Sequence, residues 1–208
     1  MVHRYRAVLF DMDGVLIDAR DWHYEALNEA LNLFGMEISR DEHLSRFDGL
    51  STKQKLNILS EDGSLPLELH KTIEAVKQDR TLRIAAQKCF PEVSHQILLS
   101  RLKHSGFKVG LVTNSIRRST EFMLQYAGLL NFMDVVITNE DVKQGKPSPE
   151  GYKLAMTKLG VLPSETLVVE DGDYGIMAAN EAGAEVIKVI DPSDVSIDLL
   201  LSRLPELR

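Results

Sequence analysis

Five short apolar runs recur along the chain, and none shows the strict apolar–polar alternation of a strand with one wet face. They are "AVLF" (Ala7–Phe10), "KVGLVT" (Lys108–Thr113), "DVVIT" (Asp134–Thr138), "TLVVE" (Thr166–Glu170) and "EVIKVI" (Glu185–Ile190). Such runs read as strands covered on both faces, the usual condition of a parallel sheet. Helical patterns lie between them. "HQILLSRLKHSG" ends in Gly106, a helix stop, and "STEFMLQYAGL" puts Phe122, Leu124, Tyr126 and Leu129 at mixed helical spacing. "SPEGYKLAMTKLG" opens on Ser148-Pro149-Glu150, which predicts a capped start with proline in the first turn, and stops at Gly160. Strand and helix in alternation predict a doubly wound, Rossmann-like α/β sheet.

One segment breaks the rhythm. From about Arg20 to Lys88 there is no buried strand, only amphipathic helical patterns: "DWHYEALNEALNLFG", "STKQKLNILSEDG" and "PLELHKTIEAVKQDRTLRIAAQK". An all-helical insertion after the first strand is expected to form a small separate cap over residues 18–89, leaving residues 1–17 and 90–208 as the core. The junctions fall near Ile17–Arg20 and Gln87–Pro91. Trp22 and Tyr24 sit at the first junction and are expected to pack the cap, with contact to substrate the alternative. Phe10, Phe107, Phe122 and Phe132 stand in apolar contexts and are expected in the core.

Composition narrows the function classes. The chain has 208 residues, 31 acidic against 24 basic, and a formal net charge of -7. No basic stripe stands out, so no nucleic-acid footprint is expected. No apolar run reaches membrane-spanning length, so no membrane partner is expected. The N-terminus is basic (His3, Arg4, Arg6), but its apolar run stops at Asp11, too soon for a signal peptide. Cys89 is the only cysteine, which rules out an internal disulfide and suits a buried apolar site. A cytoplasmic location is expected.

Ligands of an open parallel sheet bind beyond the carboxyl ends of its strands. The first run ends in Asp11, followed by Asp13 and Gly14. The second ends in Thr113, Asn114 and Ser115. Lys146 stands in "GKPSPE" after the third, and the fourth ends in Glu170, Asp171, Gly172 and Asp173. Crowded carboxylates repel and call for a cation, and hard oxygen donors select Mg²⁺. An ionised aspartate beside such a cation can attack phosphorus. A second aspartate two residues on can protonate the leaving oxygen and then activate water. Thr113 and Lys146 can hold the non-bridging oxygens, and Gly14 lets the backbone turn closely past the phosphate. Taken singly, an aspartate after a strand is as often a helix cap or turn former, and a lysine a solvated charge. The order on successive strands makes the set specific.

That order resembles the haloacid dehalogenase superfamily over nearly the whole chain. "DMDGVLID" resembles its first motif, which implies Asp11 as nucleophile and Asp13 as acid and base. "VTNS" resembles the second, with Thr113 on the phosphate, and "GKPSPE" the third, with Lys146. "VVEDGDYGIMAANEAGA" resembles the fourth, which places Glu170 and Asp171 at the magnesium, beside Asp11 and Asp13. Two positions depart from the pattern: Gly172 stands where the family carries serine, and Glu92 where it carries glycine.

The helical insertion resembles the cap of the branch holding phosphoglycolate-type phosphatases and β-phosphoglucomutases. The expectation is a Mg²⁺-dependent phosphatase of a small phosphorylated metabolite, working through an aspartyl phosphate. A monomer is expected, with a dimer as the alternative. The rival is a phosphosugar mutase. Its cap arginine falls at Thr52 here, with Lys53 adjacent, and its hinge-side histidine at His23. Gly14, His23, Lys53, Asn114 and Ser115 are the expected substrate contacts, with Arg117 a further candidate. A dehalogenase would need neither Asp13 nor the magnesium and lysine, and a phosphonate hydrolase would carry a small residue at position 13. A receiver-like signalling module is about half this length and has no helical insertion. A silent relative would have lost Asp11, Asp13 or Asp171.

Overall fold

The computed structural model describes residues 4–207, so His3 lies outside the described residues. The chain divides into two compact units, Met1–Asp18 with Phe90–Arg208, and Ala19–Cys89.

The first unit is a five-stranded sheet of β1 (Ala7–Phe10), β2 (Lys108–Val112), β3 (Val135–Ile137), β4 (Thr166–Glu170) and β5 (Glu185–Lys188). All neighbours run parallel, in the order β3-β2-β1-β4-β5. β1 and β4 are buried at every position, as unalternating apolar runs require. On one face Leu9, Val112, Ile137 and Val168 pack with Tyr152, Ala155 and Met156 of α7 (Glu150–Leu159) and with Ala178 and Ala179 of α8 (Asp173–Glu181). α5 (Val93–His104), which packs against β2, buries Leu98, Leu99 and Leu102. α6 (Arg117–Tyr126) and the short α9 (Ile197–Leu201) complete the α-helices of this unit.

α7 ends at Gly160, whose φ of 66° is the left-handed turn that glycine adopts without strain. Its start differs from the expectation: Pro149 is the N-cap, one residue outside the helix, and Ser148 Oγ accepts from the Glu150 N–H at 3.4 Å. Phe10 and Phe107 are buried. Phe122 is only half-buried, stacked 4.3 Å from the exposed Tyr126, and Phe132 is half-buried too. Both corrections have one cause: apolar context in sequence does not fix how deeply a side chain on a surface element is buried.

The second unit is helical: α1 (Arg20–Asn32), α3 (Thr52–Glu61) and α4 (His70–Lys88), with a short α2 (Arg40–Glu42) running into a π-helical turn, His43–Phe47. Leu27, Leu31, Ile38, Phe47, Leu56 and Ile73 form its core. Ser51 and Gln54 close a capping box on α3. Buried Asn28 clamps the Ile38 backbone, accepting from its N–H at 2.9 Å and donating to its carbonyl at 2.8 Å. Trp22 is buried, and Tyr24 donates to the Ile38 carbonyl at 3.2 Å. No helix among the described residues is long and apolar enough to cross a membrane.

Candidate active site

Sheet register builds the site. Phe10, the last residue of β1, pairs with Leu111 on one side and Val169 on the other. Asp11 and Glu170 therefore leave the sheet at the same level, and Thr113 follows one residue later. The ladder continues past the strand ends, with Asp11 N–H donating to the Val169 carbonyl at 3.0 Å and Thr113 N–H to Ile137 at 2.9 Å. Strand order reverses between β1 and β4, so the carboxylates stand at the sheet's switch point.

Lys146, 6% exposed, reaches this point from the loop after β3. Its ammonium donates to Asp11 Oδ1 at 2.5 Å and to Glu170 Oε1 at 2.6 Å. Asn114 fixes the same residue by its backbone: its Oδ1 accepts from the Lys146 N–H at 2.8 Å, and its Nδ2 donates to the Lys146 carbonyl at 3.2 Å. The approach needs Gly145, where a Cβ would stand 2.4 Å from Asn114 Oδ1.

Half-buried Asp13 is held by Ser115, whose hydroxyl donates to Asp13 Oδ2 at 2.8 Å. Buried Thr113 accepts the Ser115 N–H at 3.0 Å. Gly14, at φ 91°, donates its N–H to the Ile17 carbonyl at 2.7 Å, closing the tight turn after Asp13. Arg117 is tied to Glu121 at 3.1 Å and Asp141 at 2.5 Å.

Negative charge is in excess here. Burial pushes the Asp11 carboxyl well above its ordinary pKa; Lys146 works against that shift, and Glu170, Asp171 and Asp13 add to it. Burial also works against the Lys146 charge, but Asp11 and Glu170 carry its pKa above the ordinary value, so it stays protonated. One oxygen each from Asp11, Glu170 and Asp171 can be chosen with all of them within 4.8 Å of one another. An all-oxygen anionic set with too few cations fits a hard divalent ion such as Mg²⁺. Glu170 Oε1 already accepts two bonds and Oε2 the Asp171 N–H at 3.2 Å.

The two departures from the family pattern have local consequences. Gly172 is the N-cap of α8 with no side-chain cap, and open space surrounds its missing Cβ. Glu92 is the N-cap of α5, accepting from Ser94 N–H at 3.4 Å and Ser94 Oγ at 3.0 Å. Asp173 is exposed and pairs with Lys188 at 3.2 Å.

His23 and Lys53 belong to the helical unit. Lys77 Nζ lies 3.0 Å from His23 Nδ1. Lys53 is exposed, whereas Lys55, two residues on, is 7% exposed.

Two residues that position the site were not singled out by sequence. Tyr152 donates to Glu170 Oε1 at 2.6 Å, and a Cβ on Gly175 would stand 1.8 Å from that oxygen. A tyrosine on a buried helix face was the available signal, because a buried phenol seeks a polar partner. Gly175 carried none, since its constraint is a contact with a residue on another element.

Fold and site together define an α/β enzyme that gathers acids and one buried lysine at its strand ends. The sequence profile of the haloacid dehalogenase-like hydrolases matches residues 8–189. A validoxylamine A 7'-phosphate phosphatase of Streptomyces hygroscopicus subsp. limoneus is 31% identical, over 98% of this chain and 96% of its own. A phosphorylated carbohydrates phosphatase of Thermotoga maritima is 32% identical, over 87% of this chain and 83% of its own. In fold alone, the chain matches a β-phosphoglucomutase of Clostridium difficile with TM-score 0.81 and 21% identity, over 97% and 98% of the two chains. The chain belongs to the haloacid dehalogenase-like hydrolases, and it is an enzyme of that family's phosphatase kind.

Proposed function

We propose that the chain is a cytoplasmic, Mg²⁺-dependent phosphomonoesterase that passes the phosphoryl group of a small phosphorylated metabolite to Asp11 and then to water. The observation that carries this is the arrangement at the end of β1. Asp11 is bonded to a buried lysine beside Glu170, and Asp13, two residues on, is held by Ser115.

The steps balance within these residues. An Asp11 carboxylate oxygen attacks phosphorus while the ester P–O bond breaks, and Asp13 delivers a proton to the departing oxygen. Asp13 then takes a proton from water as that water attacks phosphorus. The bond to Asp11 breaks, the carboxylate is regenerated and inorganic phosphate leaves. Thr113 and Lys146 face the charge that develops on the non-bridging oxygens. Asp11, Asp171 and the Asp13 carbonyl, with Glu170 close by, would hold a divalent cation, whose positive charge would let an anionic nucleophile meet an anionic substrate. The two relatives, one named for validoxylamine A 7'-phosphate and the other for phosphorylated carbohydrates, support a phosphorylated sugar or similar small metabolite as the substrate class.

The deciding experiment is a phosphatase screen over phosphorylated sugars, acids and nucleotides. Activity is expected with Mg²⁺, is lost on chelation and returns when Mg²⁺ is restored. Ca²⁺ supports it poorly, because it takes more and longer oxygen contacts. Full activity after exhaustive chelation removes the metal from the account, and release of phosphate from no member of the panel removes the phosphatase reading.

The rival reading is the phosphosugar mutase that the helical insertion also resembles. In a mutase, a bound sugar hydroxyl rather than water must attack the phosphoryl enzyme, which requires a grip on a second phosphate. Thr52, where mutases carry arginine, is uncharged. Net phosphate release from β-glucose 1-phosphate with a trace of the 1,6-bisphosphate is therefore expected, with little glucose 6-phosphate. Isomer formation far above phosphate release reverses the choice and makes Lys53, adjacent to Thr52, the residue to test.

A further inference from the structure

Tyr152 stands in the first turn of α7 and is fully buried. Its neighbour Gly151 seats that turn: a Cβ there would lie 2.9 Å from Val112 Cγ1, so α7 packs on β2 at a distance only glycine allows. The consequence is that one side chain touches both halves of the buried ion pair. The phenol donates to Glu170 Oε1 at 2.6 Å, and the Lys146 ammonium lies 5.2 Å from the ring centroid. Lys146 donates to that same Glu170 oxygen at 2.6 Å and to Asp11 at 2.5 Å.

An ammonium has three N–H donors. Two are directed at Asp11 and Glu170, which leaves one for an incoming oxygen. The balance between the two carboxylates decides where the nitrogen sits. A phenol bonded to Glu170 spreads that carboxylate's charge over two donors and weakens its hold on the lysine. Without the phenol, Glu170 draws the ammonium toward itself and away from Asp11.

We propose that Tyr152 is a positioning residue of this enzyme: through its hydroxyl on Glu170 it sets where Lys146 stands between Glu170 and Asp11. This rests on the phosphatase reading for its kinetic consequence, but not for the positioning itself. Tyr152→Phe keeps the ring under the ammonium and removes only the hydroxyl. Hydrogen bonds to charged groups are among the stronger ones, and the misplacement of the Lys146 ammonium that follows its loss is expected to cost about tenfold in rate. Toward nitrophenyl phosphate with Mg²⁺, kcat is expected to fall about tenfold while KM moves less than about threefold. Because the effect runs through Glu170, adding Tyr152→Phe to Glu170→Gln costs less than about twofold further.

A second readout does not need turnover. The ¹⁵N ammonium resonance of Lys146, assigned by its loss in Lys146→Met, is expected to shift in Tyr152→Phe. It should coincide between Glu170→Gln and the double variant. A wild-type protein inactive on every phosphomonoester defeats the phosphatase reading, and the resonance still decides this inference. Three results overturn it: an unmoved resonance, an equal kcat loss in both backgrounds, or a Phe variant whose only change is a lower melting temperature or failure to fold.

Discussion

Asp11→Asn is expected to abolish turnover, by on the order of 10⁴-fold or more, because an amide oxygen does not open the covalent route and the rate falls to what binding and charge alone provide. The fold is expected to survive. Removing one partner of a buried ion pair usually costs several kcal/mol, since the other charge is stranded. Here Lys146 keeps Glu170 at 2.6 Å. The change also removes a carboxyl whose charge is disfavoured first by burial and then by the neighbouring acids, which hold it well above its ordinary pKa. The check is steady-state kinetics on protein whose circular dichroism and melting temperature match the parent. Wild-type-like turnover in that variant removes Asp11 from the chemistry.

Asp13→Asn is expected to slow turnover by about 10²–10⁴-fold, the usual worth of a general acid and base. Geometry should hardly change. The asparagine oxygen can keep accepting from Ser115 Oγ, the bond that Asp13 Oδ2 makes at 2.8 Å. What is lost is the proton. The first step should therefore suffer least with leaving groups that depart without protonation, such as nitrophenolate, and most with sugar alkoxides. An equal loss for good and poor leaving groups argues against the acid role.

The parts of this molecule that were legible in sequence are those set by neighbours along the chain. β1 and β4 are central strands, and their unbroken apolar runs follow from burial on both faces. Asp11, Asp13, Thr113, Glu170 and Asp171 stand at or just beyond strand ends, where an open sheet presents its ligands, and Lys146 stands in the long loop after β3. What escaped is set across the fold. Nothing within the loop around Lys146 indicates that its backbone is held by Asn114, 32 residues earlier. Tyr152 reads as one more helix residue until register puts Glu170 against its hydroxyl. Gly175 reads as a weak helix position until a Cβ is placed against Glu170. In the helical unit, Lys53 and Lys55 are two residues apart, about 200° around a helix, so one is exposed and the other buried. Without knowing which face of α3 meets Leu27 and Phe47, sequence cannot choose between them. The π-helical turn at His43–Phe47 likewise has no local signature.

The central claim is that the phosphoryl group rests on Asp11. The direct test mixes the Asp13→Asn variant with nitrophenyl phosphate and Mg²⁺. Nitrophenolate leaves without a proton, but the water step lacks its base, so the intermediate accumulates. Acid quenching, proteolysis and mass spectrometry should then find one added phosphoryl group on the peptide carrying Asp11, lost on treatment with hydroxylamine. Steady nitrophenolate release with no phosphoryl group on that peptide, or with the group on another residue, contradicts the account.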